Sequence, residues 1–173
     1  MAQSVELLLD ERAEAAVRRQ WNLLAVAGLP SERRSGASEH HRPHVTLYAA
    51  DAIPPEAEAT LPGLVGDLEL ELRIGALTIF GPRHGQCILV RQVTASIDLL
   101  ALQGRIAVAC CADPAGQFDA GRWSPHVTLA RRMPVEAVGA ALTALGWTAD
   151  RAVEARVLGC RRWDGTRKVA WLL

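Results

Sequence analysis

Apolar and polar positions follow two different periods along this chain, and the switches between them outline its elements. Ser4–Asp10 (SVELLLD) is an apolar run that predicts a first strand, with a helix start as the competing reading. Asp10 stands where a helix cap belongs. Behind it Ala15, Val17, Trp21, Leu24 and Val26 recur at helical spacing as far as Gly28. Leu29–Pro43 is polar and carries Gly, Ser and Pro, which predicts a loop. His44–Ala50 (HVTLYAA) is rich in strand formers. Asp51–Thr60, rich in Pro and Glu, holds a short predicted helix. Residues 67–81 (DLELELRIGALTIFG) give two strand segments, with Leu68, Leu70 and Leu72 alternating against Glu69, Glu71 and Arg73.

The remainder has a similar order. Residues 81–86 (GPRHGQ) predict a turn into a strand at 87–93 (CILVRQV), followed by a helix within 94–112 that Gly104 weakens. A loop at 113–125 (DPAGQFDAGRWSP) leads to a second strand at 126–132 (HVTLARR). Pro134 and Gly146 bracket a further predicted helix, Pro at its first turn and Gly at its end. Residues 152–163 and 168–173 close the chain as a hairpin, for which Asp164-Gly165 supplies a tight turn. Strands and helices that do not strictly alternate predict an α+β fold, with helices packed on antiparallel sheets. No stretch is rich enough in Gly, Ser or Pro to act as a linker, so residues 1–173 are expected to form one domain.

Composition narrows the function classes. Half of the residues are hydrophobic, enough to build a core without disulfides, and Lys+Arg and Asp+Glu both number 19. A formal net charge of zero argues against a protein that coats nucleic acid by bulk electrostatics, although it leaves room for a local basic groove. All the cations but Lys168 are arginine, which suits bidentate phosphate binding but also follows from GC-rich coding. The N-terminal residues lack a basic region followed by an apolar core, and no run reaches the roughly 18–20 apolar residues of a membrane span. Cys87, Cys110, Cys111 and Cys160 match neither a disulfide framework nor a zinc spacing. A cytoplasmic protein without membrane association is expected, and a monomer.

One feature carries chemistry. The pentapeptide PHVTL occurs at Pro43–Leu47 and again at Pro125–Leu129, each time after a loop and at the start of a strand. An identical pentapeptide recurs by chance in roughly one chain in a hundred of this length and average composition. In a strand, residues two apart share a face, so His44 goes with Thr46 and His126 with Thr128, while the Val and Leu of each copy turn to the other side. Two imidazoles on opposite sides of a phosphodiester act as base and acid, one taking a proton from the attacking group and the other giving one to the departing oxygen. Threonine hydroxyls steady the nonbridging oxygens. That pairing needs neither metal nor cofactor, and it suits a strained ring such as a 2′,3′-cyclic phosphate.

Two His-x-Thr-x motifs in a chain of this size resemble the 2H phosphoesterase superfamily, which includes the 2′–5′ RNA ligase and RNA 2′,3′-cyclic phosphodiesterase proteins. The resemblance implies a duplicated two-lobed α+β fold with helices on the outside, a pseudo-twofold axis and a central cleft. It makes His44 and His126 the acid–base pair and Thr46 and Thr128 the phosphate-contacting hydroxyls. The expected partner is a nucleotide or RNA end carrying a 2′,3′-cyclic phosphate. Arg131 matches a family arginine after the second motif, whereas strict alternation places Arg132 on the His126 face. The first motif continues as YAADAIPP, unlike the apolar run ending in Gly of relatives associated with ligation.

Other residues have two readings each. Tyr48 shares parity with His44 and Thr46 and is a candidate for base stacking, with packing as the alternative. Trp123 is either a stacking platform or a loop anchor. Arg33, Arg34, His40 and His41 are phosphate ligands or solvated loop residues, Arg91 is a candidate to reach the cleft, and His84 reads as an exposed turn residue. The activity expected is cyclic phosphodiester hydrolysis. The alternatives are 2′–5′ ligation at the same site and a non-catalytic nucleotide- or RNA-binding module.

Overall fold

The computed structural model of the chain describes residues 3–34, 36, 40–66 and 68–173. Ser35, Ala37, Ser38 and Glu39 of the predicted polar loop, Asp67 at the head of the predicted strand pair, and Met1 and Ala2 lie outside the described residues.

Strand β1 (Gln3–Leu9) is buried over its whole length and runs into helix α1 (Glu11–Val26). Asp10 caps that helix by accepting the Ala13 N–H at 2.9 Å, and Glu11 and Glu14 sit in the first turn, where the helix dipole favours negative charge. Ala13, Val17, Gln20, Trp21 and Leu24 form its buried stripe, whereas Ala15 and Val26 of the expected stripe are exposed, because the buried face is set by the turns that meet the sheet. The chain continues through β2 (His44–Ala50), α2 (Pro55–Val65), β3 (Glu71–Arg83) and β4 (Gln86–Val93). Then come α3 (Ile97–Ala109), which Ser96 caps through the Leu99 N–H, β5 (His126–Pro134), α4 (Val138–Leu145), β6 (Val153–Asp164) and β7 (Val169–Leu172).

All strands pair antiparallel in one seven-stranded sheet of order β2-β1-β6-β3-β4-β5, with β7 added to β6. The series β1-α1-β2-α2-β3 is repeated as β4-α3-β5-α4-β6, and exchanging the two series reverses the sheet order onto itself. Each helix pair also draws one member from each series, α1 against α4 and α2 against α3. The repeated His-x-Thr motifs therefore occupy the two edge strands, β2 and β5, which approach each other.

The α+β class is as the sequence predicts, and several local expectations need correction. Pro134 ends β5 instead of opening the next helix, which starts at Val138 after a 3-10 turn at Val135–Ala137, and residues 81–83 of the expected turn extend β3. The two segments expected in 67–81 are a single strand, β3, which starts at Glu71 and tolerates register shifts against β4 without breaking. Helix α2 reaches Val65, beyond the expected Thr60, because Ala57, Leu61 and Val65 bury a common stripe. The closing hairpin uses a longer turn than the Asp-Gly pair suggests. The Asp164 carboxylate accepts the N–H groups of Thr166 and Arg167, both at 2.9 Å, and residues 165–168 form the turn. Among the described residues no helix is long and apolar enough to cross a membrane.

Candidate active site

Each motif begins at the first residue of an edge strand, and in each the strict two-residue alternation fails just after the threonine. On β2, Thr46 pairs with Glu6 of β1 but Tyr48 pairs with Val5, so Leu47 is an extra residue. On β5, Thr128 pairs with Val90 of β4 but Ala130 pairs with Leu89, so Leu129 is extra in the same way. A bulge of this kind inverts the facing of the residues beyond it. The burial sequences match: Val45, Leu47 and Tyr48 are buried on β2, as are Val127, Leu129 and Ala130 on β5. Histidine and threonine stay half-buried on the cleft side, and after the bulge Ala49 and Arg131 return to it.

This inversion corrects the reading of Tyr48. Its ring leaves the cleft, is 6% exposed, packs against Phe118 with centroids 5.5 Å apart, and its hydroxyl donates to the Cys110 carbonyl at 3.3 Å. The same inversion brings Arg131, rather than Arg132, to the cleft.

Both imidazoles are held by one device. His44 Nδ1 is 2.7 Å from the Arg42 carbonyl, and His126 Nδ1 is 2.7 Å from the Ser124 carbonyl. A carbonyl only accepts, so each Nδ1 carries the hydrogen and each Nε2 remains to give or take a proton. Burial lowers the His126 pKa from its ordinary 6.5, and the positive charges of His44 and Arg131 lower it further against the bond to Ser124. His126 is thus a neutral imidazole at pH 7. The edge of the Phe80 ring meets it at a centroid distance of 4.8 Å.

The cleft has two lobes, of about 310 and 440 Å³, which share Thr46, Ala49, Thr128 and Arg131. His44 lines the first with Ser4, Glu6, Arg34, Arg42 and Arg161, a charged surface. His126 lines the second with Phe80, Ile88, Phe118 and Trp123, a largely apolar one. A group bound where the lobes meet lies between the two threonines with one histidine to either side. Arg131 overhangs it, 3.8 Å from Glu32.

Glu6 is the residue that pattern reading passed over. It is 4% exposed, its Oε1 accepts the Ser4 hydroxyl at 2.6 Å, and its Oε2 accepts Nε and Nη2 of Arg161 at 2.8 and 2.7 Å. Burial pushes its carboxyl up, yet the positive charges at His44 and Arg161 and the hydrogen bonds from Ser4 and Arg161 outweigh burial and hold it below its ordinary 4.5. It is a carboxylate at neutral pH. A lone acid in an apolar strand and a pair of arginines in the last long strand were the available signals.

The remaining candidates separate. Arg34, His40 and His41 line the charged lobe, while Arg33 is an exposed residue outside both lobes. The Trp123 indole donates to the Thr46 carbonyl at 3.0 Å, which makes it a loop anchor, and it also lines the apolar lobe. Its counterpart is Trp21 of α1, which donates to the Thr128 carbonyl at 2.9 Å. Arg91 does not reach the cleft. It is 1% exposed and its guanidinium is spent on the carbonyls of Gly75, Thr148 and Arg151, at 2.6, 2.9 and 2.6 Å. His84 lies in the exposed turn between β3 and β4. Among the described residues no group of three or more His, Cys, Asp or Glu is arranged to hold a metal ion.

Comparison with known proteins identifies the family and the fold. The sequence profile of the 2′-5′ RNA ligase superfamily matches residues 10–167. No curated protein sequence matches the chain. Solved structures with the same fold include TT0787 of Thermus thermophilus, 17% identical over 100% of this chain and 95% of that one, with a TM-score of 0.60. Kluyveromyces marxianus Usb1 with uridine monophosphate is 10% identical, covers 99% and 98% of the two chains, and has a TM-score of 0.60. E. coli LigT complexed with 3′-AMP is 12% identical over 99% and 92%, with a TM-score of 0.53. At these identities the likeness is one of fold.

Proposed function

The chain belongs to the 2′-5′ RNA ligase superfamily of 2H phosphoesterases, and from that premise we propose that it opens the 2′,3′-cyclic phosphate of a nucleotide or RNA end by two-histidine acid–base catalysis. The observation that carries the proposal is the matched placement of His44 and His126. They stand on opposite edge strands, each with Nδ1 tied to the carbonyl two residues earlier and Nε2 left for proton transfer. One histidine removes a proton from water as its oxygen attacks phosphorus. The bond from phosphorus to one ribose oxygen breaks, and the other histidine delivers a proton to that oxygen. The product is a nucleoside phosphomonoester. The hydroxyls of Thr46 and Thr128, with the guanidinium of Arg131, meet the charge that builds on the nonbridging oxygens. A 5′-hydroxyl in place of water turns the same site to ligation.

The nucleotides bound to Usb1 and LigT support a nucleotide ligand here. The test is turnover of the four nucleoside 2′,3′-cyclic monophosphates in EDTA, with 2′- and 3′-phosphate products resolved by chromatography. Wild type should turn them over to a single isomer. His44→Ala and His126→Ala should each lose about 10²–10⁴ in rate. Activity that survives both substitutions sinks the mechanism.

A further inference from the structure

The two motifs are identical in sequence, and their surroundings are not. In register with Thr46 stands Glu6, and in register with Thr128 stands Val90. Glu6 Oε1 is 3.6 Å from His44 Nε2, the nitrogen left for chemistry. Among the described residues no carboxylate stands within ion-pairing distance of His126, whose neighbour is the Phe80 ring. Ser4 and Arg161 already donate to both oxygens of Glu6, so the carboxylate is fixed in place and has little left to offer a substrate. What remains to it is the imidazole.

We propose that Glu6, held by Arg161 and Ser4, is a positioning residue that keeps a proton on His44 Nε2, so that His44 serves as the general acid and His126 as the general base. This rests on the phosphoesterase reading above. The attraction is mutual, since the charge on His44 helps to hold Glu6 ionised. Burial of His126 works in the opposite sense and keeps its Nε2 free to accept. In the hydrolysis, water gives its proton to His126 as its oxygen bonds to phosphorus. The phosphorus–ribose oxygen bond then breaks on the His44 side, and that oxygen takes the proton from His44. One imidazole gains the proton that the other loses, and exchange with solvent resets the pair.

Other charges also bear on His44. Arg161 projects from β6 and is neutralised by Glu6. Across the cleft β5 presents His126 and Arg131. In the segment before β2, Arg42 is paired with Glu14 at 2.6 Å, and Arg34 lies 3.8 Å from Glu32. His40 and His41 line the same lobe, with His41 Nε2 on the Glu32 carbonyl at 2.5 Å.

Glu6→Gln keeps the shape and removes the charge. Because it leaves Arg161 unpaired, the double variant Glu6→Gln/Arg161→Gln, neutral at both positions, is measured beside it and carries the test if the single variant does not fold. Ring-nitrogen NMR of the apo protein tracks both histidines against pH. The His44 signals should change from imidazolium to imidazole at lower pH in Glu6→Gln than in wild type, and by a smaller margin in the double variant, which loses the positive charge of Arg161 as well, with those of His126 moving much less. Unchanged His44 titration in a folded variant overturns the proposal, and this readout needs no turnover. Rates are then compared on a 2′,3′-cyclic nucleotide and on bis(4-nitrophenyl) phosphate, whose leaving group departs without a proton. Loss of the acid should slow only the first, so the ratio of the two rates shifts at least tenfold. Equal slowing of both contradicts the assignment of His44 as acid. Absence of wild-type turnover on every diester strikes at the phosphoesterase reading and leaves the NMR result standing.

Discussion

Two tryptophans brace the site crosswise, and replacing them tests whether the threonines owe their placement to that brace. Trp21 belongs to the first half and donates to the Thr128 carbonyl in the second, at 2.9 Å. Trp123 belongs to the second half and donates to the Thr46 carbonyl in the first, at 3.0 Å. Both carbonyls are on edge strands, where a missing donor is not replaced by a neighbouring strand. Trp→Phe keeps an aromatic ring and deletes the N–H. A net hydrogen bond is worth about 1 kcal/mol, and an orphaned buried carbonyl raises the cost to about 1–3. Trp21 is 4% exposed, so the smaller ring also leaves a void, for which the larger core truncations suggest about 1 kcal/mol more. The expected losses are therefore about 2–4 kcal/mol for Trp21→Phe and about 1–2 for the half-buried Trp123, whose freed carbonyl water can reach. Urea unfolding at pH 7 measures both. In turnover of a 2′,3′-cyclic nucleotide, kcat should fall with KM nearly constant, since the misplaced hydroxyl matters most as charge develops. If both variants stay within about 0.5 kcal/mol of wild type and keep full kcat, the brace is incidental and the reasoning is refuted.

The same geometry sets further outcomes. The acidic limb of kcat/KM should lie below pH 6.5, because His126 must be neutral to act as base and burial lowers its pKa. The sign for stability is the same. The unfolded chain takes the proton first, so stability present above about pH 6.5 is lost progressively as pH falls through the lower folded value, and His126→Gln should flatten that part of the pH–stability curve. Tyr48→Phe should leave kcat and KM unchanged and cost at most about 1 kcal/mol, since it removes a 3.3 Å hydrogen bond away from the cleft. Arg91→Met should lower stability by about 3–5 kcal/mol in urea unfolding, as three carbonyls lose a charged donor, and should not alter the KM of enzyme that remains folded. In the native protein a thiol reagent should titrate Cys111 alone. Cys87, Cys110 and Cys160 are buried, with the Cys110 and Cys160 thiols pushed up to about 11 and about 12.

What the sequence disclosed is what short-range rules govern. Helix α1 was legible from Asp10 and a stripe of apolar positions, and the pairing of His44 with Thr46 and of His126 with Thr128 from a period of two. Tyr48 and Arg131 were misread or undecided for a single reason. Alternation continues only until a bulge, and the extra residues at Leu47 and Leu129 exist only in relation to partner strands. Glu6 stayed hidden because its meaning depends on Arg161, 155 residues away, and on His44 in the next strand. Arg91 illustrates the converse: a mid-strand cation invited a ligand role, and the carbonyls that occupy it come from β3 and from the turn after α4. Side chains whose partners lie far along the chain have no periodic signature.

The two bulges have a consequence for how the protein behaves in a crowded solution. Strands β2 and β5 each open with the same His-Val-Thr-Leu run and each keeps one side unpaired, the profile of a template for intermolecular sheet growth. An extra residue at the middle of each strand bends it and puts successive peptide groups out of step with any straight incoming strand, while the tryptophan N–H groups and the Glu32 N–H on the Leu129 carbonyl occupy acceptors along the rim. Shortening either strand by its extra residue would thus do more than turn Ala49 or Arg131 away from the cleft. It would restore a regular, adhesive border, so that loss of activity and a tendency to self-associate arrive together.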